Sequence, residues 1–360
     1  MDLTSIALII AVFFAMNIGA SGTAASMGAA YGSGAIRSRP LAMWLVAAGA
    51  LLGAGIGGGE VVKTIGGGII PSALLGVETV VIILSSAALT LFAANLLGIP
   101  LSTSEVTVGS IVGVGIAFQS VYLKNLLVIV SFWAIVPVAA FAGAFLLGKA
   151  IAFAEKRWPA LKGNGRWETW LKALLVITGV YEAFSAGMNN VANAVGPLVG
   201  AGMVPAASGI WLGGIAVALG CVTLGSKVLE TNGKKITTLS LLQGSAVSAT
   251  GGTLVITASL FGIPVPLTQA TTCAILGVGT ADNGFRLWQK AIIKQIIMVW
   301  IVSPVSSLVV SFGLVNLVLR PDVYVLTVIV SVFVTTMGAL RLMRLIRSEN
   351  SSVNEKGGGI

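Results

Sequence analysis

Gly19–Gly28 (GASGTAASMG) and Gly187–Gly196 (GMNNVANAVG) are clusters of small and polar residues, each set inside a long apolar run. Their first glycines lie 168 positions apart in a chain of 360 residues, close to half its length. Without water, a polar interruption of a helix survives only around a cavity, a ligand or a protein partner. A pair of such interruptions, one per half, is the pattern of a central binding site in a transporter built from a repeat. Both are therefore expected to be broken helices.

Composition sets the class. The chain is 56% hydrophobic and 9% charged, with a mean hydropathy of +1.00. Too few charges remain to cover a soluble surface, and many stretches reach the roughly 20 apolar residues needed to cross a bilayer. The expected fold class is an all-α polytopic membrane protein. The formal charge of +9 invites a nucleic-acid reading, but the basic residues fall in loops, as the positive-inside rule requires. No nucleic acid is expected as a partner. No cleavable signal sequence is read at Met1-Asp2-Leu3. Cys221 and Cys273 sit in apolar segments without metal-ligand spacing, so packed thiols are expected, with no metal and no cofactor.

Taken in order, the apolar runs give two repeats of five spans and one more span, about eleven in all. The expected organisation is a first repeat over residues 1–148, a cytoplasmic linker over 149–172 and a second, inverted repeat over 173–319. An extra transmembrane helix over 320–342 and a flexible tail over 343–360 follow. The duplication shows in further matched blocks. Glu60–Gly66 (EVVKTIG) parallels Lys227–Gly233 (KVLETNG) with its two charges exchanged. Gly98-Ile-Pro100 parallels Gly262-Ile-Pro264, and Thr107, Ile111, Gly113, Val114 and Gly115 parallel Thr271, Ile275, Gly277, Val278 and Gly279. The offsets are 168, 167 and 164. Arg37 and Arg39 mark a cytoplasmic loop whose second-half equivalent, Gly202–Pro205, is uncharged. The halves are thus read as facing opposite ways, with the N-terminus outside and the C-terminus inside a cell (inner or plasma) membrane.

The polar blocks define a candidate site. Ser21, Gly22 and Thr23 come from the first interruption, and Asn189, Asn190 and Asn193 from the second. Ser102, Thr103 and Ser104 form a hydroxyl block, with Thr268, Gln269 and Thr271 at matching places. Helix N-termini and neutral donors of this kind suit an anion. Any single Gly/Ser/Thr run is as readily explained by tight helix packing; four blocks in two matched pairs are not.

Asn189-Asn-Val-Ala-Asn-Ala194 and Gly98-Ile-Pro-Leu-Ser-Thr-Ser104 carry a resemblance to the inorganic phosphate transporter (PiT) family, whose signatures are G-x-N-D-x-A-N and G-x-P-[VL]-S-T-[TS]-H. The resemblance covers nearly the whole chain. It implies a dimeric, inverted-repeat secondary transporter for a tetrahedral oxyanion, with hydroxyls and N-D/N groups around the anion and the acidic positions helping to hold coupling sodium. The chain departs from that pattern at the acidic positions, which are Gly22 and Asn190. The histidine position is Glu105 in one half and Gln269 in the other, and there is no histidine anywhere. The second hydroxyl block, Pro266-Leu267-Thr268, has lost two hydroxyls.

These departures bear on the substrate. Phosphate near neutral pH keeps a proton that a buried aspartate can accept, whereas sulfate only accepts hydrogen bonds, and a facing carboxylate repels it. The chain is therefore expected to import sulfate, and it is similar to the CysP-type sulfate permease branch of the same family. Entry of a dianion against an inside-negative potential costs about 2.3 kcal/mol per charge per 100 mV, so a co-transported cation is needed. Loss of the aspartates disfavours sodium, which leaves protons, with Glu105 and Glu182 as candidate carriers. For these carboxyls the structural alternative is a helix-end hydrogen bond or an ion pair, as for Glu60 with Lys63 or Lys227 with Glu230. Sodium-coupled phosphate transport is the close alternative and an anion channel a more distant one. An enzyme is not expected, because no acid/base cluster is present.

Overall fold

A computed structural model describes residues 2–96, 101–163, 165–230, 239–284, 290–325, 327–328 and 331; for residues 283 and 290–297 it describes the backbone alone. No strand occurs among the described residues. That follows from the composition, since a helix satisfies every backbone group within one segment when no water is at hand.

Helix α1 (Leu3–Ile18) continues through a π turn (Gly19–Thr23) and a 3₁₀ turn (Ala24–Met27) into α2 (Gly28–Gly32). Then follow α3 (Arg39–Gly57), the short α4 (Gly59–Gly67), α5 (Val77–Leu96), α6 (Thr103–Ala117) and α7 (Leu123–Arg157). The second half holds α8 (Arg166–Gly200), α9 (Ala206–Leu224), α10 (Leu241–Leu260), α11 (Leu267–Asn283) and α12 (Lys290–Val318). Local sequence sets several of the starts. Ser38 caps α3 ahead of Pro40, and Ser240 with Gln243 closes a capping box on α10.

Among the described residues, seven helices are long and apolar enough to cross a bilayer: Leu3–Gly32, Arg39–Gly57, Val77–Leu96, Leu123–Arg157, Arg166–Gly200, Ala206–Leu224 and Met298–Val318. About eleven were expected. Part of the difference lies in α6 and α11, whose 15 and 17 residues start at the hydroxyl blocks and fall short of a full crossing. Most of the expected span 320–342, and all of the tail, lie outside the described residues. The helices keep large apolar side chains on their outer faces, among them Ile56, Leu146, Phe153 and Ile177, as lipid contact requires.

The expectation of two broken helices needs correction. The first interruption changes hydrogen-bond type twice within nine residues, from α to π to 3₁₀, without leaving helical space. The second is no break at all, because α8 runs unbroken for 35 residues through Gly187–Gly196. Its glycines serve close approach instead. A methyl group at Gly187 would collide with the carbonyl of Ala50 on α3, and one at Gly200 with the carbonyl of Gly66 on α4. Helices α7 and α8 also extend into the hydrophilic stretch 149–172. Only residues 158–165 connect them, turning at Gly163 (φ 92°) and Gly165 (φ 66°).

Several close helix contacts come in sequence-matched pairs. Gly19 abuts the Val217 carbonyl as Gly187 abuts that of Ala50, and Gly220 abuts Met16 as Gly53 abuts Phe184. Gly113 meets the backbone of Leu308 as Gly277 meets that of Phe141. Thus α1 packs on α9 where α8 packs on α3, and α6 on α12 where α11 packs on α7. An apolar core of Val136, Ala140, Ala144, Ala270, Ala274 and Val278 fills the α7–α11 seam. Residues up to Ser311 form one compact unit. Phe312 onward forms a second, in which Asn316 Nδ2 donates to the Phe312 carbonyl and the Asp322 carboxylate accepts from the N–H groups of Tyr324 and Val325.

Candidate functional site

The N-terminus of α6 meets the middle of α8. Ser102 caps α6, its hydroxyl accepting from the N–H of Glu105 at 3.5 Å. The next two hydroxyls leave the helix and reach α8. Thr103 donates to Asn190 Oδ1 at 3.2 Å, and Ser104 donates to Asn189 Oδ1 at 3.0 Å. One helical turn on, Asn193 Nδ2 reaches the Thr103 and Ser104 hydroxyls at 3.5 and 3.3 Å. Ser102, Thr103, Ser104 and the three asparagines are all buried. The sequence therefore groups these two blocks correctly.

The three asparagines are not equivalent. Asn189 spends every valence on protein: Oδ1 accepts from Ser104 and from the N–H of Val265, while Nδ2 donates to Ser259 Oγ and the Ile263 carbonyl. It fixes the strand-like approach, residues 263–265, to the start of α11. Asn193 Oδ1 is buried with no partner. Asn190 receives Thr103 at its Oδ1, and no protein acceptor takes its Nδ2 among the described contacts. Of the three, Asn190 is the amide left to donate.

On the opposite side, α11 starts at Leu267 after Pro266 with no side-chain cap, so its first N–H groups and their partial positive charge are not spent on a cap. Thr268 lies there, with its Oγ1 4.0 Å from where a side chain on Gly22 would begin. The first interruption and the second hydroxyl block are therefore neighbours. Ser21 is turned inward on its own helix, donating to the Asn17 carbonyl at 2.9 Å, and Thr23 Oγ1 is buried without a partner.

Glu105 and Gln269 occupy matched positions in the two halves and touch each other. Gln269 Nε2 donates to Glu105 Oε1 at 2.5 Å, while Glu105 Oε2 and Gln269 Oε1 are buried without partners. Glu182 lies two turns before Asn189 on α8 and accepts from Thr271 Oγ1 at 2.6 Å, with Ser248 of α10 alongside. Neither carboxyl forms an ion pair. The ion pairs among the described residues are Arg39–Glu230, Lys63–Glu60 and Lys172–Glu168. Glu60 and Lys63 thus pair locally, whereas Glu230 reaches across to Arg39. Cys221 and Cys273 are free thiols, and no cluster among the described residues could hold a metal.

Sequence reasoning passed over Ser259 and Ser248, which anchor Asn189 and flank Glu182. It also passed over Ser303, whose hydroxyl accepts from the Ser102 N–H at 3.4 Å. The signal for Ser303 was present: Ser303, Ser307 and Ser311 recur every four residues in an apolar helix and are all fully buried.

Together these groups form a buried cage of hydroxyls, amides and two helix N-termini, with no cationic side chain in it among the described residues. The sequence model of the phosphate transporter family matches residues 18–311. The chain is 52% identical over 354 residues to the sulfate permease CysP of Bacillus subtilis, covering 98% of this chain and 99% of that protein. It is 30% identical to a putative phosphate permease of Pyrococcus furiosus, covering 83% of this chain and 92% of that protein. A solved sodium-dependent phosphate transporter shares the fold with a TM-score of 0.77 at 25% identity, covering 88% of this chain and all of that one. With a family match over most of its length and a near-full-length relative at this identity, the chain is a multi-pass membrane transporter and belongs to the phosphate transporter family.

Proposed function

We propose that the protein imports sulfate together with protons by alternating access in the cell membrane. In this reading the two halves are inverted repeats that rock around the cage, with the N-terminus outside, the C-terminus cytoplasmic and two chains forming a homodimer. The reciprocal packing of α1 on α9 and α8 on α3 supports the repeat, since two copies related by a two-fold axis make each contact twice.

One observation carries the choice of substrate. The two places where family resemblance puts an aspartate hold Gly22, which presents no side chain to Thr268, and Asn190, which presents an amide. A cage of donors without a fixed carboxylate fits a fully ionised tetrahedral dianion. Monohydrogen phosphate would bring a proton with no charged acceptor to take it. Ser102, Asn190, Thr268 and the N–H groups of α11 are the proposed donors, with Thr103, Ser104, Asn189, Asn193 and Gln269 holding them in place. Ser21, Gly22 and Thr23 close the remaining side.

Glu105 ties the anion to the proton. It is adjacent to Ser104, and its Oε2 has no protein partner. As a carboxylate it would repel sulfate; as a carboxylic acid it is neutral and gains a donor. The similarity to a sulfate permease agrees with this reading, and the likeness to a sodium-dependent phosphate transporter defines the alternative. Labelled sulfate uptake into proteoliposomes decides between them, under an inward proton gradient, without sodium and with phosphate as competitor. Accumulation above equilibrium that phosphate barely reduces is the expected result. A requirement for sodium, or phosphate competing at equal concentration, would overturn the proposal.

A further inference from the structure

Glu105 and Glu182 are both almost completely buried, at 1% and 3% exposure. The groups beside them are neutral: Gln269 donates to Glu105 and Thr271 to Glu182, with Ser303 and Ser248 alongside. The charged groups on the helices packed against them stand elsewhere. Glu78 opens α5, while Arg166, Glu168 and Lys172 lie in the first two turns of α8, the last two paired with each other. Arg39 opens α3 and binds Glu230, Glu60 and Lys63 pair on α4, and Asp282 ends α11. Lys290 and Lys294 open α12, with side chains outside the described residues. Tyr181 bonds Thr253, and the thiols Cys221 and Cys273 are neutral groups on α9 and α11. Neither carboxyl therefore has a counter-charge among the described residues, and a buried charge without one carries a desolvation cost that a bound proton removes.

The two sites are also connected. Thr268 and Gln269 of the anion cage and Thr271, which holds Glu182, lie within one turn of α11. The matched place in the first half is apolar: Phe14 stands where Glu182 does and Leu84 where Ser248 does, both fully buried. A carboxyl at Glu182 is thus no requirement of this packing.

We propose that each sulfate travels with two protons, one on Glu105 and one on Glu182, so that the transport cycle is electroneutral. This rests on the sulfate and proton reading above and fixes its stoichiometry. The balance is direct: two carboxylates each take one proton on the uptake side, the dianion enters, and both protons leave with it. The cycle moves no net charge, whatever charge the empty carrier bears on its return.

The test is sulfate accumulation in proteoliposomes with the proton gradient and the membrane potential set separately by buffer and by potassium with valinomycin. With two protons, a tenfold proton gradient supports about a hundredfold accumulation, unaffected by the potential. Glu105→Gln and Glu182→Gln should each reduce this to about tenfold and make it sensitive to potential, now opposed by an inside-negative interior. If the wild type shows no proton-driven uptake, the underlying reading fails. If it shows proton-driven uptake that depends on potential, or if either variant stays electroneutral, the stoichiometry fails alone. Where a variant does not reconstitute, the wild type still decides through its accumulation ratio. Proton uptake on sulfate binding to the purified protein, measured between pH 6 and 9, then gives a second count, expected to approach two per sulfate at the alkaline end.

Discussion

Gly19–Gly28 and Gly187–Gly196 hold matching places and make matching backbone contacts, through Gly19 on Val217 and Gly187 on Ala50. Yet the first segment shifts from α to π to 3₁₀ while the second remains an unbroken helix. The difference lies in where the polar side chains find partners. In the second copy Asn189 and Asn190 reach across to α6, to Ser259 and to the approach to α11, leaving the backbone of α8 intact. In the first, Ser21 turns back on the Asn17 carbonyl, and Gly22 has nothing to reach with. Back-bonding hydroxyls compete with the helical ladder. A polar cluster breaks a helix only when its own side chains have nowhere better to go.

The contact the two copies share should break most severely. Gly187→Val drives a branched side chain into the Ala50 backbone and should cost about 3 kcal/mol or more, since neither helix can yield. Recovery of folded protein in detergent and its Tm would show this, and Gly19→Val should behave alike. Asn190→Asp returns a carboxylate to the cage and should weaken sulfate binding roughly 10- to 100-fold while improving phosphate. Gly22→Asp should do the same from the other copy, because the space beside Thr268 is open. Titration of purified protein with both anions measures each effect; unchanged selectivity in both variants would remove these two positions from the substrate argument.

A smaller contrast separates the first residues of the two polar trios. Asn189→Ala leaves the buried Val265 N–H without its acceptor and should cost about 2 kcal/mol. Ser21→Ala frees only a helix carbonyl and should cost less than about 1 kcal/mol. Thermal melts of the two variants side by side would sharpen the comparison, and equal losses would contradict it. Least of all should follow from Arg39→Ala, because its ion pair with Glu230 is solvent-exposed; its Tm should fall less than that of Ser21→Ala.

The class and most helix positions were legible because they depend on apolar run length, which is a local property. Helices Arg39–Gly57 and Ala206–Leu224, for example, follow uninterrupted apolar runs of the sequence. That Thr103, Ser104 and the asparagines fall together was legible only as four polar blocks sharing one region; which hydroxyl meets which amide was not. The continuity of α8 was not legible either. Gly187 and Gly200 look like helix breakers in sequence, and only the backbones of Ala50 and Gly66 in contact with them show that they are packing surfaces. Likewise nothing local distinguishes Asn189, saturated by protein, from Asn190, its neighbour with an amide to spare. Ser259 and Ser303 sit far along the chain from the groups they hold, and no spacing rule links them.

Glu105 bonded to Gln269 has a consequence for how such a chain could arise. Matched positions that meet face to face must answer to each other, and two identical residues there make a poor pair. Two glutamates would set carboxyl against carboxyl, and two glutamines would gain no acid. One acid and one amide give a donor and an acceptor in the right order. A protein assembled from two identical copies of its first half could not form this contact. In the proposed repeat, the difference at this one position gives the molecule a distinct front and back.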